Sequence, residues 1–138
     1  MTFHIIVIDD DPALQEFYRL FFENEGYKVT VLSPFAIFPD AIITLQANII
    51  ILDVVLGGCQ NGWSILQTLL STPQTAKLPV LLVTALSLKG LEEEQQMLLQ
   101  ERKIPFVVKP FNVDLLLATM RSLFPDSGPP PENSSYLS

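Results

Sequence analysis

The sequence predicts an α/β fold, with a five-stranded parallel sheet covered by helices on both faces. Three observations carry that expectation. Short apolar or β-branched runs alternate with helix-like stretches five times along the chain. Each connection is long enough for the helical crossover that parallel strands require. The runs are mostly apolar throughout, as in strands buried on both faces. The chain has 138 residues, 49% of them hydrophobic, which is one domain's worth of sequence with a sizeable core. Mean hydropathy is high, at +0.36. Even so, the longest apolar run, Ala47 to Leu56, is interrupted by Asn48 and Asp53. It falls well short of the roughly 18 to 20 residues that span a bilayer.

Phe3 to Ile8 reads as the first strand and runs into Asp9-Asp10-Asp11-Pro12. Asp11 suits a helix N-cap and Pro12 the first helical position. Leu14, Phe17, Tyr18, Phe21 and Phe22 then recur at helical spacing, and Gly26 stops that helix. Lys28 to Leu32 is the second strand. Ser33 to Asp40 contains Pro34 and Pro39 and is expected to be irregular, with a short helix over Ala41 to Gln46. Ile49 to Leu52 is a wholly apolar third strand ending at Asp53. Gly57, Gly58, Asn61 and Gly62 mark a loop. Trp63 to Leu70 is a helix with Ile65, Leu66, Leu69 and Leu70 on its apolar side. Pro79 to Val83 is the fourth strand, ending at Thr84. Leu91 to Arg102 is a charged helix expected to turn Leu91, Met97 and Leu98 inward. Ile104 to Val108 is the fifth strand, ending at Lys109-Pro110. Val113 to Phe124 is the last helix, with Leu116, Leu117, Met120, Leu123 and Phe124 as its core face. These elements make residues 1–124 one domain. The Pro-, Ser- and Gly-rich residues 125–138 lack periodicity and read as a disordered tail.

The formal charge is −7, from 15 acidic and 8 basic residues. The basic residues are scattered, so the electrostatic footprint of a nucleic-acid binder is missing and any DNA-binding output is expected on another chain. The N-terminus has no basic leader pattern and Cys59 is the single cysteine. Together these point to a reducing cytoplasm. One histidine, His4, with one distant cysteine makes no zinc site. His4, Cys59 and Trp63 read as structural residues.

The chemistry collects at the strand ends. In open α/β sheets, ligands bind outside the carboxyl ends of the strands. The first strand ends in Asp9-Asp10, the third in Asp53, the fourth in Thr84 and the fifth in Lys109. The second ends in Leu32-Ser33 and offers little, as an edge strand would. Three carboxylates held close repel one another. A hard divalent cation such as Mg²⁺ relieves that repulsion and prefers oxygen ligands. A lysine and a hydroxyl suit the remaining oxygens of a phosphoryl group. A carboxylate beside the metal can attack phosphorus and form an acyl phosphate. There is no Walker A loop, so nucleotide is not the obvious donor.

The chain resembles the receiver domain of two-component response regulators along nearly its whole length. The residues that carry the resemblance are Val7-Ile8-Asp9-Asp10-Asp11-Pro12, Ile51-Leu52-Asp53, Val83-Thr84-Ala85 and Val108-Lys109-Pro110-Phe111. The resemblance implies a flavodoxin-like strand order of 2-1-3-4-5. It implies Asp53 as phosphoacceptor, with Mg²⁺ or Mn²⁺ held by Asp9, Asp10, Asp53 and the backbone carbonyl of Val55. Lys109 would pair with the phosphoryl group and Thr84 would bond it. Phe106 would be the switch aromatic that follows Thr84, and Lys109-Pro110 would be cis. The implied donor is a histidine kinase or histidine phosphotransfer protein. The implied output is a surface of the fourth helix, fifth strand and fifth helix, spanning roughly Leu88 to Phe124, that meets a second copy or a downstream protein. No nucleic acid, membrane or enzymatic turnover beyond the domain's own phosphorylation and dephosphorylation is implied.

The sequence departs from the family pattern in three places. The loop Val54 to Gly62 is one residue longer before its glycine and has Gly57 where proline is common. Val55 and Leu86 are apolar where polar groups often orient an attacking water, which predicts slow hydrolysis of the phosphorylated state. Arg102-Lys103-Ile104-Pro105 replaces a common Gly-Ala turn. Two other readings are open to the sequence. One is a receiver-like interaction module that works without phosphorylation. The other is a haloacid-dehalogenase-type phosphatase built on Asp9 and Asp11, but Pro79 to Phe124 lacks the later acidic pair it needs.

Overall fold

The computed structural model describes residues 3–32, 39–53, 62–84 and 92–124. Ten elements alternate: β1 (His4–Ile8), α1 (Pro12–Asn24), β2 (Lys28–Leu32), α2 (Pro39–Leu45), β3 (Ile49–Asp53), α3 (Gly62–Ser71), β4 (Val80–Thr84), α4 (Glu93–Arg102), β5 (Phe106–Val108) and α5 (Val113–Ser122). The five strands form one parallel sheet in the order β2-β1-β3-β4-β5. The predicted fold and order hold, and β2 is the silent edge strand.

Side chains alternate across the sheet with the period of two that a pleated strand imposes. Ile5, Val7, Ile49, Ile51, Leu81, Val83 and Val107 face one core with Tyr18 and Phe22 of α1 and Leu116 and Met120 of α5. Ile6, Ile8, Ile50, Leu52, Val80 and Leu82 face the other, with Ile42 of α2, Leu66 and Leu69 of α3 and Leu99 of α4. All five residues of β1, β3 and β4 are buried. Burying an aliphatic side chain of this size is worth about 1.5–3 kcal/mol each, so these three strands hold the sheet together.

Helix ends follow local chemistry. Asp11 caps α1 by accepting from the Ala13 N–H at 2.9 Å, and Gly26 follows the helix at φ 97°, where a side chain would be crowded. Asn112 caps α5 through Oδ1, which accepts from Asp114 N–H at 2.7 Å and Leu115 N–H at 3.2 Å. His4 is buried at the start of β1. Its ring bonds the Leu45 carbonyl at 3.0 Å and the Thr30 hydroxyl at 2.7 Å, and its N–H donates to Asn48 Oδ1 at 2.7 Å. It ties β1 to β2 and α2, a structural role. Trp63 is likewise buried, against the α2–α4 core.

Several sequence expectations need correction. Phe3, Ile104 and Pro79 lie just outside strands. α2 begins at Pro39, not Ala41, because proline tolerates the first helical position, where its missing N–H has no partner anyway. α4 begins at Glu93; Glu92 precedes it and its N–H donates to Gln95 Oε1 at 3.0 Å. Met97 points outward at 51% exposure, and Leu99 takes the buried position instead. The helix has acids in its first turn and little apolar asymmetry, so periodicity was a poor guide there. α5 ends at Ser122, with Leu123 and Phe124 still packed against the core. The expectations for Ser33 to Phe38, Cys59, Leu91 and the tail fall outside the described residues.

Candidate functional site

Parallel strands bring their carboxyl ends to one edge, and the site forms there. β3 carries Asp53 as its last residue, buried at 4% exposure. Asp9 follows β1 directly and is 1% exposed, while Asp10 beside it is half-buried. Carboxylate oxygens of Asp9, Asp10 and Asp53 lie within 4.8 Å of one another. Lys109 follows β5 and donates from Nζ to Asp53 Oδ2 at 2.9 Å, with Asp9 Oδ2 at 3.5 Å. Its backbone N–H donates to the Thr84 carbonyl at 2.7 Å, which fixes the end of β5 against the end of β4. The Lys109–Pro110 peptide is cis, as expected.

The strand parity explains the grouping. Asp53 continues the series Ile49, Ile51, and so faces the α1–α5 side, the side from which Lys109 reaches it. Thr84 is the last residue of β4 and is 1% exposed. Phe106 pairs with Leu82 in register and packs half-buried on the α3–α4 face. Thr84 and Phe106 are therefore diagonal neighbours across β4 and β5.

Two bonds position Asp9. Its Oδ1 accepts from the Asp11 N–H at 2.9 Å, and its carbonyl accepts from Gln15 Nε2. Burial raises the Asp9 carboxyl above its ordinary pKa, and the nearby Asp53 adds to that. The Asp11 N–H and Lys109 oppose the rise without cancelling it. Burial alone would lower the Lys109 ammonium. The hydrogen bond to Asp53 and the charges of Asp9 and Asp53 outweigh burial and raise it. The Tyr18 phenol, beneath the cluster, is raised by burial and then by Asp9, Asp53 and Asp11. Among the described residues its oxygen has no hydrogen-bond partner.

Three carboxylates and one ammonium leave two negative charges uncompensated within this group. At such separations each like pair repels by roughly 3–4 kcal/mol at an effective dielectric near 20. Oxygen-only donors and a doubly negative deficit fit a hard divalent cation. Asp11 is not among the three; its carboxylate caps α1, which removes one half of the Asp-x-Asp a phosphatase would need.

The structure also shows a wall that sequence reading passed over. Leu14, Phe17, Phe111 and Val113 line a cavity of about 700 Å³ beside Asp11 and Lys109. Phe111 stacks on Tyr18 at 6.1 Å between centroids. The signal was there in Leu14 and Phe17 three apart on α1 and Phe111 directly after Lys109-Pro110. Val55, Ala85 and Leu86 lie outside the described residues.

A family model described as the response regulator receiver domain matches residues 5–121. The chain is similar to the DNA-binding dual master transcriptional regulator RpaA of Synechocystis, 31% identical over 86% of this chain and 48% of that protein. It is similar to the phosphate regulon transcriptional regulatory protein PhoB of Rhizobium meliloti, 32% identical over 86% of this chain and 51% of that protein. The chain thus spans about half the length of the curated relatives it matches. Among solved structures, the signal receiver domain of a DNA binding response regulator protein (merR) from Colwellia psychrerythraea matches with a TM-score of 0.72 and 27% identity, over 90% of this chain and 99% of that one. Chemotaxis protein CheY4 of Vibrio cholerae matches with a TM-score of 0.75 over 90% of this chain and 100% of that one. At 18% identity that likeness concerns the fold alone.

Proposed function

The chain belongs to the response regulator receiver domain family, and from that premise we propose that it is a phosphorylation-dependent switch with Asp53 as its phosphoacceptor. The observation that carries this reading is the buried Asp53 carboxylate at the end of central β3, with Lys109 Nζ 2.9 Å from Oδ2 and Asp9 and Asp10 alongside.

An Asp53 oxygen attacks the phosphorus of a phosphohistidine on a histidine kinase or phosphotransfer protein. The new O–P bond forms as the P–N bond breaks, and the electron pair returns to the imidazole. Lys109 holds the attacking carboxylate in place and then offers its charge to the phosphoryl oxygens. Asp9, Asp10 and Asp53 would hold Mg²⁺ or Mn²⁺, with the Val55 carbonyl as the further ligand that the family pattern implies. When bound, the cation would supply charge neutralisation for the incoming phosphoryl group. The Thr84 hydroxyl bonds that group. Phe106, diagonal to Thr84 across β4 and β5, follows it and changes the α4–β5–α5 surface, which meets a second copy or a downstream protein. The chemistry is confined to the domain's own phosphorylation and dephosphorylation, so it acts as a regulator rather than an enzyme.

The two relatives named above are transcriptional regulators. Within this acidic chain we assign no nucleic-acid contact, and place the switch in the cytoplasm. No described helix is long and apolar enough to cross a membrane.

Mass spectrometry after incubation with acetyl phosphate and Mg²⁺ tests the reading. One phosphoryl adduct is expected. It should vanish in Asp53→Asn, which keeps its fold by circular dichroism, and it should vanish in excess EDTA. A full-strength adduct on Asp53→Asn, or no adduct on the parent, sinks the assignment. The second outcome leaves the phosphorylation-independent module as the reading.

A further inference from the structure

The opposite edge of the sheet has its own charge pattern. There, the α3–β4 connection, the end of α4 and the end of α5 enclose a cavity of about 330 Å³. Its walls include Leu78, Ile104 and Leu123, and its rim carries Lys77, Arg102 and Lys103. Those are three of the chain's eight basic residues, gathered in a protein of net charge −7.

Elsewhere among the described residues, three of the four other cations are matched to acids, Lys28 being the exception. Arg19 pairs with Glu16 at 3.2 Å, Arg121 with Glu25 at 3.7 Å, and Lys109 with Asp9 and Asp53. Lys77, Arg102 and Lys103 are exposed and make no ion pair among the described residues. The end of a helix favours a cation, and that accounts for Arg102 in the last turn of α4. It does not account for Lys77, which comes from a different segment. Lys103 is the C-cap of α4, where a cation also suits the helix end, but its backbone is left-handed at φ 55° and ψ 47°. Glycine usually takes that conformation, and a non-glycine residue there is a reason to look for a role.

We propose that this cavity is a docking site for an acidic peptide segment of a partner protein, which inserts an apolar side chain between Lys77, Arg102 and Lys103. Charge complementarity selects the anion and the apolar walls select a peptide. A nucleic acid would need a stripe of cations along its phosphates, whereas here the cations ring one apolar cavity. The volume lies at the small end of the roughly 300–1,000 Å³ typical of ligand pockets, which suits one anchoring side chain rather than a drug-sized ligand. The site is at the end of the sheet remote from Asp53. It can therefore tether a partner without blocking the phosphoryl donor, and this inference stands whether or not Asp53 is phosphorylated.

The test uses the isotope-labelled full chain and a synthetic peptide of alternating Glu and Asp with one central Leu-Phe pair. Amide shifts are expected around Ala76 to Val80 and Arg102 to Ile104, and they should weaken severalfold as salt is raised. The Lys77→Glu, Arg102→Glu double variant should lose at least roughly tenfold in affinity, about 1.4 kcal/mol, while its acetyl phosphate adduct is unchanged. Several outcomes overturn the proposal. One is an absence of shifts at the cavity with millimolar peptide. Another is equal binding of a peptide with Lys in place of the acids. A third is stronger response of the same amides to a single-stranded oligonucleotide. The last is occupation in cis. It would be seen as broadening of the cavity amides in the free protein by a spin label on Ser138→Cys, in a Cys59→Ser background.

Discussion

The two edges of this sheet treat charge in opposite ways. At the carboxyl edge, Asp9 and Asp53 are buried and share one ammonium. At the amino edge, Lys77, Arg102 and Lys103 stand exposed around an apolar cavity, with no acid paired to them among the described residues. The first edge confines charge where water cannot screen it, so its groups are coupled and sensitive to a change of one unit. The second leaves charge in solvent, where each cation is nearly independent and available to a partner. A switch needs the first arrangement, and a tether can work with the second.

The comparison breaks most sharply at Lys109. Lys109→Met leaves Asp9 and Asp53 buried without their cation. Loss of one partner of a buried pair commonly costs 3–5 kcal/mol; with Lys109 itself 21% exposed, about 2–3 kcal/mol at pH 7 is expected by urea unfolding. The loss should shrink at acid pH, where the raised Asp9 carboxyl takes up a proton. Lys77→Met at the other edge should change stability by less than about 0.5 kcal/mol. Equal losses at the two edges would remove the distinction.

Asp9→Asn should act in the opposite direction and stabilise the metal-free domain by on the order of 1 kcal/mol at pH 7. Burial, with Asp53, raises the Asp9 carboxyl in the fold. A raised folded pKa means that the unfolded chain gives up its proton first. Asp9 therefore costs nothing below its ordinary value of 3.8; the cost grows as pH rises from there and levels off above the folded pKa. The difference between variant and parent should widen with pH in unfolding curves. A difference flat from pH 4 to 8 contradicts it.

At the amino edge, Lys103→Gly relieves the left-handed backbone. Part of the gain is offset by the entropy of a freer unfolded chain. A net stabilisation of about 0.5–1 kcal/mol is expected, read as a rise in Tm. A loss instead would show that the lysine side chain contributes to the fold.

The smallest effect is at His4. Desolvation lowers its pKa below 6.5, with the Leu45 carbonyl opposing and Lys28 adding to the fall. A lowered folded value means that stability is present above 6.5 and is lost as pH falls below it, because the unfolded chain takes up the proton first. His4→Gln should flatten the stability profile between pH 5 and 7. Amide exchange at Asn48, bonded to His4, can follow the same change.

Much of the fold was legible because its signals are local. The all-apolar runs Ile49 to Leu52 and Pro79 to Val83 could hardly be anything but buried strands, and β2 was found at its true bounds. The misses came where local signals conflict. Pro39 read as a breaker although it opens α2, and Met97 read as core although α4 has no clear apolar face. The groups that meet at the carboxyl edge, Asp9, Asp10, Asp53 and Lys109, were legible by type and position, since each lies at a strand end. The Phe17–Phe111 wall was not, because it joins residues 94 positions apart in the chain.

By itself, the sequence determined which residues end each strand and therefore which groups share an edge. Parallel crossovers place all carboxyl ends together, so groups at those ends share one edge. Tertiary structure alone decided which of them touch. Strand order put β3 between β1 and β4, where Asp53 lies with Asp9 and Asp10 and takes the Lys109 ammonium, while Phe106 packs on the α3–α4 face. It also decided that Lys77, Arg102 and Lys103 ring one cavity, because no local pattern joins the α3–β4 connection to the end of α4. Periodicity is set by neighbours along the chain, whereas the side of the sheet and the partner across it are set by packing between elements far apart in sequence.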